Sequence, residues 1–283
     1  MSSGKTERPA KPGAPQWAMQ PFDDFMDFVE RLGEVVELST LGISTLRGMP
    51  KLVEAVAKAH GMADTLDTKA QLERAQRLAE LAHRESSTGF PLIHAQATVT
   101  LWGALEDLIR SFVAKWLQQV PTVLLNSPLS TLKVPVGEYE KLSPEEKGIF
   151  LADALDRSMN GALKQGVTRF EALLEPLGLS GSVPENVRKE IFELGQVRHA
   201  IAHRRGIADR RLLEACPWLT VSPGSTLLMS HRDFGRYHDA VVRYVTELVY
   251  RVGEHFGVSA MRDAASQVIQ SNTVPPNARA DSG

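Results

Sequence analysis

The chain lacks several features that would decide a function at once. It holds one cysteine, Cys216, among 283 residues, which excludes a disulfide within the chain and a zinc site built from several thiolates. Cys216 reads as a packing residue. The net charge is −2, so the overall positive field of a strongly basic nucleic-acid binder is missing and any such contact has to be local. No stretch approaches the roughly 20 apolar residues of a membrane-spanning helix. Residues 1–16 mix Lys5, Arg8 and Lys11 with proline and glycine and have no apolar centre of the kind a signal peptide carries. The expectation is a cytoplasmic protein with no membrane association. No internal repeat of fixed period is visible.

What is present is the balance of an ordinary globular chain, with 43% hydrophobic and 23% charged residues. Residues 1–16 read as a disordered arm and residues 259–283 as a mostly disordered tail, because neither holds enough apolar side chains to offset the entropy of ordering. From Trp17 the spacing of Phe22, Phe25, Met26, Phe28, Val29 and Leu32 predicts a short amphipathic helix ending near Gly33. A second helical stretch runs from about Pro50 to Leu81, interrupted at Gly61–Met62. Leu72, Ala75, Leu78 and Leu81 are expected on its packed side, with Lys69, Glu73, Arg77 and Glu80 opposite. Ser86-Ser87-Thr88-Gly89 breaks the pattern and divides an N-terminal helical region, 17–88, from a second domain, 89–258.

In that second part Val99, Trp102, Leu105, Ile109, Phe112 and Trp116 recur every three or four residues and predict a deeply buried helix. The prolines at 121, 128 and 135 give a loop, and Ser143-Pro144-Glu145-Glu146 caps the next helix, about 144–158, with a continuation through 163–177. Another helix starts at Ser182-Val183-Pro184-Glu185 and stops before Gly206. Trp218–Val221 and Thr226–Met229 flank Ser222-Pro223-Gly224-Ser225 as a small β-hairpin. A long last helix carries Phe234, Tyr237, Val241, Tyr244, Leu248, Val252 and Phe256 and is expected to pack against the Trp102 helix. The fold class is all-α, a helical bundle preceded by a helical segment.

The chemistry concentrates in residues 187–206, VRKEIFELGQVRHAIAHRRG. Val187, Ile191, Leu194 and Ile201 form the apolar face, and helical stepping puts Arg198 on or beside it. An arginine cannot be neutralised, so near a core it needs an acid, a partner chain or an anionic ligand. His203 falls near the helix end, ahead of Arg204 and Arg205 and the Gly206 stop. Arg198 and His203 are expected to face one pocket.

Arg198-His199-Ala200-Ile201-Ala202-His203 resembles the R-x4-6-H signature of HEPN domains, including the polar residue that follows the arginine. The likeness extends to Leu105-Glu106, an acidic residue in the apolar frame of a first long helix, and to the long helix that follows the motif. It covers about residues 91–256 and is nearest in character to the prokaryotic RiboL-PSP and MAE types. The resemblance implies a metal-independent endoribonuclease of toxin or antiviral-defence type that dimerises so that two motifs line one cleft. On that carry-over His203 is the acid or base, Arg198 stabilises the phosphate, and His199 and Glu106 orient or assist. Arg204, Arg205, Arg210 and Arg211 hold the RNA backbone. No cofactor is implied. RNA is the substrate, a homodimer the working unit, and an antitoxin or partner protein the expected ligand of the N-terminal helices. The chemistry is consistent: cleavage through the 2′-OH needs a proton acceptor, a donor and positive charge on the phosphate, which histidine and arginine supply.

Other readings of the same residues stand beside this one. Arg198 pairs with Glu106 or Glu193 as a structural ion pair, His203 caps a helix C-terminus, and Arg204–Arg211 form a solvated face. His199 and His203, four apart, form half of a metal site whose third ligand comes from His94, His231 or His238, although Ala200 stands where a zinc-protease helix has glutamate. A HEPN-like module without catalysis, used for protein interaction or regulation, is the reading from another class.

Overall fold

The computed structural model describes residues 13–62, 64–159 and 165–258. The reading of residues 259–283 as a tail, that of a helix through 160–164, and residues 1–12 of the expected arm 1–16 lie outside the described residues; of the rest of that arm, Ala14 packs partly against the core and Gln16 already opens the first helix. Everything described is helix or connecting loop, and no helix among the described residues is long and apolar enough to cross a membrane.

Helix α1 (Gln16–Thr45) runs straight through the expected stop at Gly33. Glycine inside a helix costs only about 1 kcal/mol, and Val36 extends the buried stripe of Ala18, Phe22, Phe25 and Val29 by another two turns. Helices α2 (Met49–Ala59) and α3 (Leu66–Ser87) form the expected hairpin, and α3 is capped by Thr65, whose hydroxyl accepts from Thr68 N at 3.2 Å. The packed side of α3 is set by Ala75 and Ala82; Leu81, expected inward, is 47% exposed because it lies about 100° round from Ala82.

Helix α4 (Pro91–Gln119) is the axis of the molecule. Leu101, Leu105, Ile109, Phe112 and Trp116 are all 1% exposed or less. Trp116 meets Trp17 of α1 edge-on at 5.5 Å and Phe256 at 5.7 Å, so α1 enters the same core as the bundle.

A four-residue helix, α5 (Val136–Tyr139), punctuates the proline-rich stretch. Helix α6 (Pro144–Ser158) opens with the expected capping box between Ser143 and Glu146 and crosses α4 at Gly148, where a Cβ would sit 2.6 Å from the Ala114 carbonyl. After Gly166 in the left-handed region (φ 58°) comes α7 (Val167–Leu174), then α8 (Glu185–Arg204).

Sequence patterning missed α9 (Arg210–Ala215), a short helix capped by Asp209, whose carboxylate accepts from Leu212 N at 2.9 Å. The expected hairpin at 218–229 is not formed. Thr226 instead makes an isolated bridge with Ile207, and the loop ties back through Ala208 N to Ser225 O at 2.9 Å and Leu227 N to Gly206 O at 2.7 Å. The short apolar runs there lack the length to pair with each other once this nearer backbone is on offer. The last helix, α10 (His231–His255), opens with a Ser230/Asp233 capping box and buries its whole expected stripe except Phe256, which is half-buried. It packs against α4 and α8.

Candidate functional site

Helix α8 carries the motif, and its orientation is set by what lies beneath it. Val187, Ile191, Leu194, Val197 and Ala200 are buried. Gly195 lets the helix close on α4, because a Cβ there would stand 2.9 Å from the Trp102 ring. Glu193, 1% exposed, takes hydrogen bonds from Arg236 at 2.6 Å, from Tyr237 at 2.7 Å and from the Trp218 indole. Burial pushes the Glu193 carboxyl up, but the three donors together outweigh it and hold the group below its ordinary value. Glu193 is thereby spoken for and is not the partner of Arg198.

With α8 so fixed, the Arg198 side chain is 31% exposed and looks toward Glu106 of α4, its Nη2 3.9 Å from Glu106 Oε2. That distance is an ion pair without a hydrogen bond. The Arg198 Nε is buried and has no hydrogen-bond partner among the described residues. Glu106 is held more tightly from α7, where Arg169 Nη1 lies 2.9 Å from its Oε1. Arg169 in turn grips Asp156 of α6 with two bonds, 3.2 and 2.7 Å. Those bonds and the two carboxylate charges raise the Arg169 pKa despite burial.

These groups line a cavity of about 240 Å³ whose wall also includes His199, Arg211, Gln165 and Gln196. Gln196 donates to Gln165 at 2.6 Å across its lip. Three guanidinium groups face one carboxylate, so the interior favours an anion. A larger cleft of about 440 Å³ shares Glu106 and Arg169 with it, but Asp107, Asp153 and Asp156 also line that cleft and Arg110 is its one further cation. Of the two, the smaller cavity is the one whose lining favours an anion.

The expected site residues thus divide. Arg198, His199, Glu106 and Arg211 come together. His203 does not line the cavity, contrary to the expectation that it shares a pocket with Arg198: five residues on, it lies about 140° round the helix. It is exposed, its ring 4.8 Å from that of His199. Burial first, then the charges of His203, Arg211, Arg204 and Arg198, lower the His199 pKa below 6.5. Arg204 stands 3.9 Å from Asp209, Arg210 pairs with Glu214 at 2.7 Å, and Arg205 occupies the left-handed turn (φ 54°) that ends α8. These three lie on the surface beside the cavity's mouth residue Arg211, not within its lining.

Sequence reasoning missed Arg169 and Asp156. The signal was there for Arg169: it is a permanent cation in the apolar frame of Val167, Phe170, Leu173 and Leu174, the same argument that singled out Arg198. The metal reading loses its third ligand, since no three His, Cys, Asp or Glu side chains converge among the described residues. His94 lies instead against His231, ring to ring at 5.6 Å, and His238 is 3.6 Å from Asp239. Cys216 is fully buried, and burial together with the Glu193 charge pushes its thiol up to about 12, so it is a packing residue and no nucleophile.

No family model, curated protein or solved structure matches this chain. The likeness to HEPN domains therefore rests on the residues of the motif.

Proposed function

We propose that the protein is a HEPN-like endoribonuclease of toxin or antiviral-defence type, cutting RNA through attack of the 2′-OH without need of a metal. The observation that carries this reading is the Arg198 guanidinium, its buried Nε unpartnered, presented to a cavity in which three arginines face one carboxylate. Arg198 and Arg211 take the phosphate and stabilise the extra charge that builds on it. Histidine is the group whose pKa suits both proton removal from the 2′-OH and proton delivery to the leaving 5′-oxygen. Burial and positive neighbours favour the neutral His199 ring, which suits it to accept a proton; His203 is the second histidine. Because Arg198 and His203 point about 140° apart on one helix, the reading takes a homodimer in which the α8 helices of two copies face each other and complete the site. Arg204, Arg205 and Arg210 then hold the strand on either side.

A non-catalytic interaction module is the second reading, and one observation favours it. Helices α1 and α2 expose an apolar row, Val35 (52%), Leu38 (70%), Leu41 (61%), Leu52 (60%) and Val56 (50%), of the kind that marks a partner surface.

One experiment separates the two. Purified protein is incubated with a mixed RNA pool in EDTA, beside Arg198→Ala and His203→Ala, and its mass is measured in solution. The nuclease reading expects a dimer, products with 2′,3′-cyclic phosphate and 5′-hydroxyl ends, and a loss of at least about 10²-fold in each variant. A folded dimer that cuts no RNA under any condition leaves the interaction module.

A further inference from the structure

Glu106 stands between two arginines and is bonded to only one of them. Its Oε1 is 2.9 Å from Arg169 Nη1, whereas its Oε2 is 3.9 Å from Arg198 Nη2. All the side chains involved have similar exposure, 34% for Arg169, 32% for Glu106 and 31% for Arg198, so solvent screening does not explain the preference. The difference lies in what holds each arginine. Arg169 is locked by the two-bond grip of Asp156 at 3.2 and 2.7 Å. Arg198 has no hydrogen-bond acceptor for its buried Nε among the described residues, and its one ion pair there is the 3.9 Å contact with Glu106. A planar guanidinium fork in that state has donors left for an incoming oxyanion.

We infer that Arg169 is a positioning residue for the anion that Arg198 binds: anchored by Asp156, it holds Glu106 by one oxygen and so keeps the Arg198–Glu106 pair from closing. Charges alternate along the row Asp156, Arg169, Glu106, Arg198, and the open end is the fork of Arg198. Without Arg169, Arg198 is the one other arginine at ion-pair distance from Glu106 among the described residues. Glu106 then closes onto Arg198 as a bonded pair and occupies the place of the ligand. The geometry asks only for an oxyanion; naming it an RNA phosphate rests on the function proposed above.

This assigns the effect of Arg169 to Glu106, and a paired substitution reads that directly. In Arg169→Gln the carboxylate is freed to block the fork. In Arg169→Gln/Glu106→Gln the blocking charge is gone and the fork reopens. A role in stability alone appears in the melts and leaves the binding of each folded variant unchanged. The full-length chain is titrated into a fluorescein-labelled 2′-O-methyl oligoribonucleotide, which has no 2′-OH to attack, and anisotropy is followed; RNA cleavage is timed in parallel and each variant is melted to confirm folding. Arg169→Gln should weaken binding about tenfold, the worth of one charge-assisted hydrogen bond, and raise KM more than it lowers kcat. The double variant should return to within about threefold of wild type. Asp156→Asn, which loosens Arg169 without removing it, should shift binding in the same direction by less. Equal binding by wild type and Arg169→Gln, or a double variant weaker than the single one, overturns the inference. Wild-type binding without cleavage removes the nuclease reading and still lets the variants decide the role of Arg169. Wild-type protein that binds neither the oligonucleotide nor tripolyphosphate removes both.

Discussion

Substituting Glu193 by glutamine tests how α8, and with it Arg198, is held in register. The carboxylate is 1% exposed and receives Arg236 at 2.6 Å, Tyr237 at 2.7 Å and the Trp218 indole. Arg236 and Tyr237 share Oε1 and the indole uses Oε2, so glutamine keeps an oxygen for the first two and turns its NH2 toward the Trp218 N–H. A hydrogen bond to a charged group is worth about 1.5–3 kcal/mol, and a buried donor left without a partner costs about 1–3 kcal/mol. Arg236 is 34% exposed, so water takes over much of its share and its loss is discounted. The Trp218 N–H is left facing a donor, and the Tyr237 bond, buried at 2% exposure, loses the charge of its acceptor. The expected loss is about 3 kcal/mol, a fall in Tm of about 6–12 °C for a chain of this size. Urea and thermal melts followed by far-UV circular dichroism and tryptophan fluorescence measure it. The Glu193 pKa is depressed below 4.5 in the folded protein, so its stabilisation is present above that value and is lost as pH falls through the lower, folded one. The stability curve of Glu193→Gln should accordingly be flatter than wild type below pH 4.5. A variant within about 1 kcal/mol of wild type, with an unchanged acid limb, refutes the reasoning.

Three further outcomes bear on the cavity. Gly195→Ala puts a methyl 2.9 Å from the Trp102 ring; the strain should cost about 1–3 kcal/mol, and α8 should shift enough to weaken oligonucleotide binding, both read from a melt and an anisotropy titration. Arg198→Lys keeps the charge and loses the fork, so cleavage should fall about 10- to 100-fold while the melt stays within about 0.5 kcal/mol of wild type. His199 is held below 6.5 by burial and by its positive neighbours. A bound oxyanion favours its protonated form, so affinity should rise as pH falls from about 7.5 to 5.5. The His199 ring titration, followed by NMR with and without oligonucleotide, should move upward on binding; equal curves would show that the anion does not sit beside it.

Much of the helical layout was legible because its signals are local. The capping box at Ser143, the stripe on α4 and the seven-residue rhythm of α10 each report on contacts within one or two turns. The errors came where a local rule met a neighbour. Gly33 reads as a stop, yet α1 continues because Val36 has the core to bury against. Leu81 and Ala82 are adjacent, and a difference of about 100° in direction decides that the smaller one packs. The runs at 218–221 and 226–229 look like partners, but Thr226 finds Ile207 instead.

The site shows the same division. Residue types and helical spacing singled out Arg198, His203 and the basic turn that follows, and the resemblance to HEPN domains added Glu106 on a separate buried helix. The expectation that His203 shares a pocket with Arg198 ran against the 3.6-residue turn, which puts residues five apart about 140° round the helix from each other. Only the packing of α4, α6, α7 and α8 decided that Glu106 bonds Arg169, 63 residues away in sequence, and stands 3.9 Å from Arg198, 92 residues away. Helix formation depends on neighbours in the chain, which the sequence states. The choice among competing ion pairs depends on differences of about 1 Å between helices that the chain joins by long routes, and at the distances of an ion pair that much separates a bonded arginine from a free one.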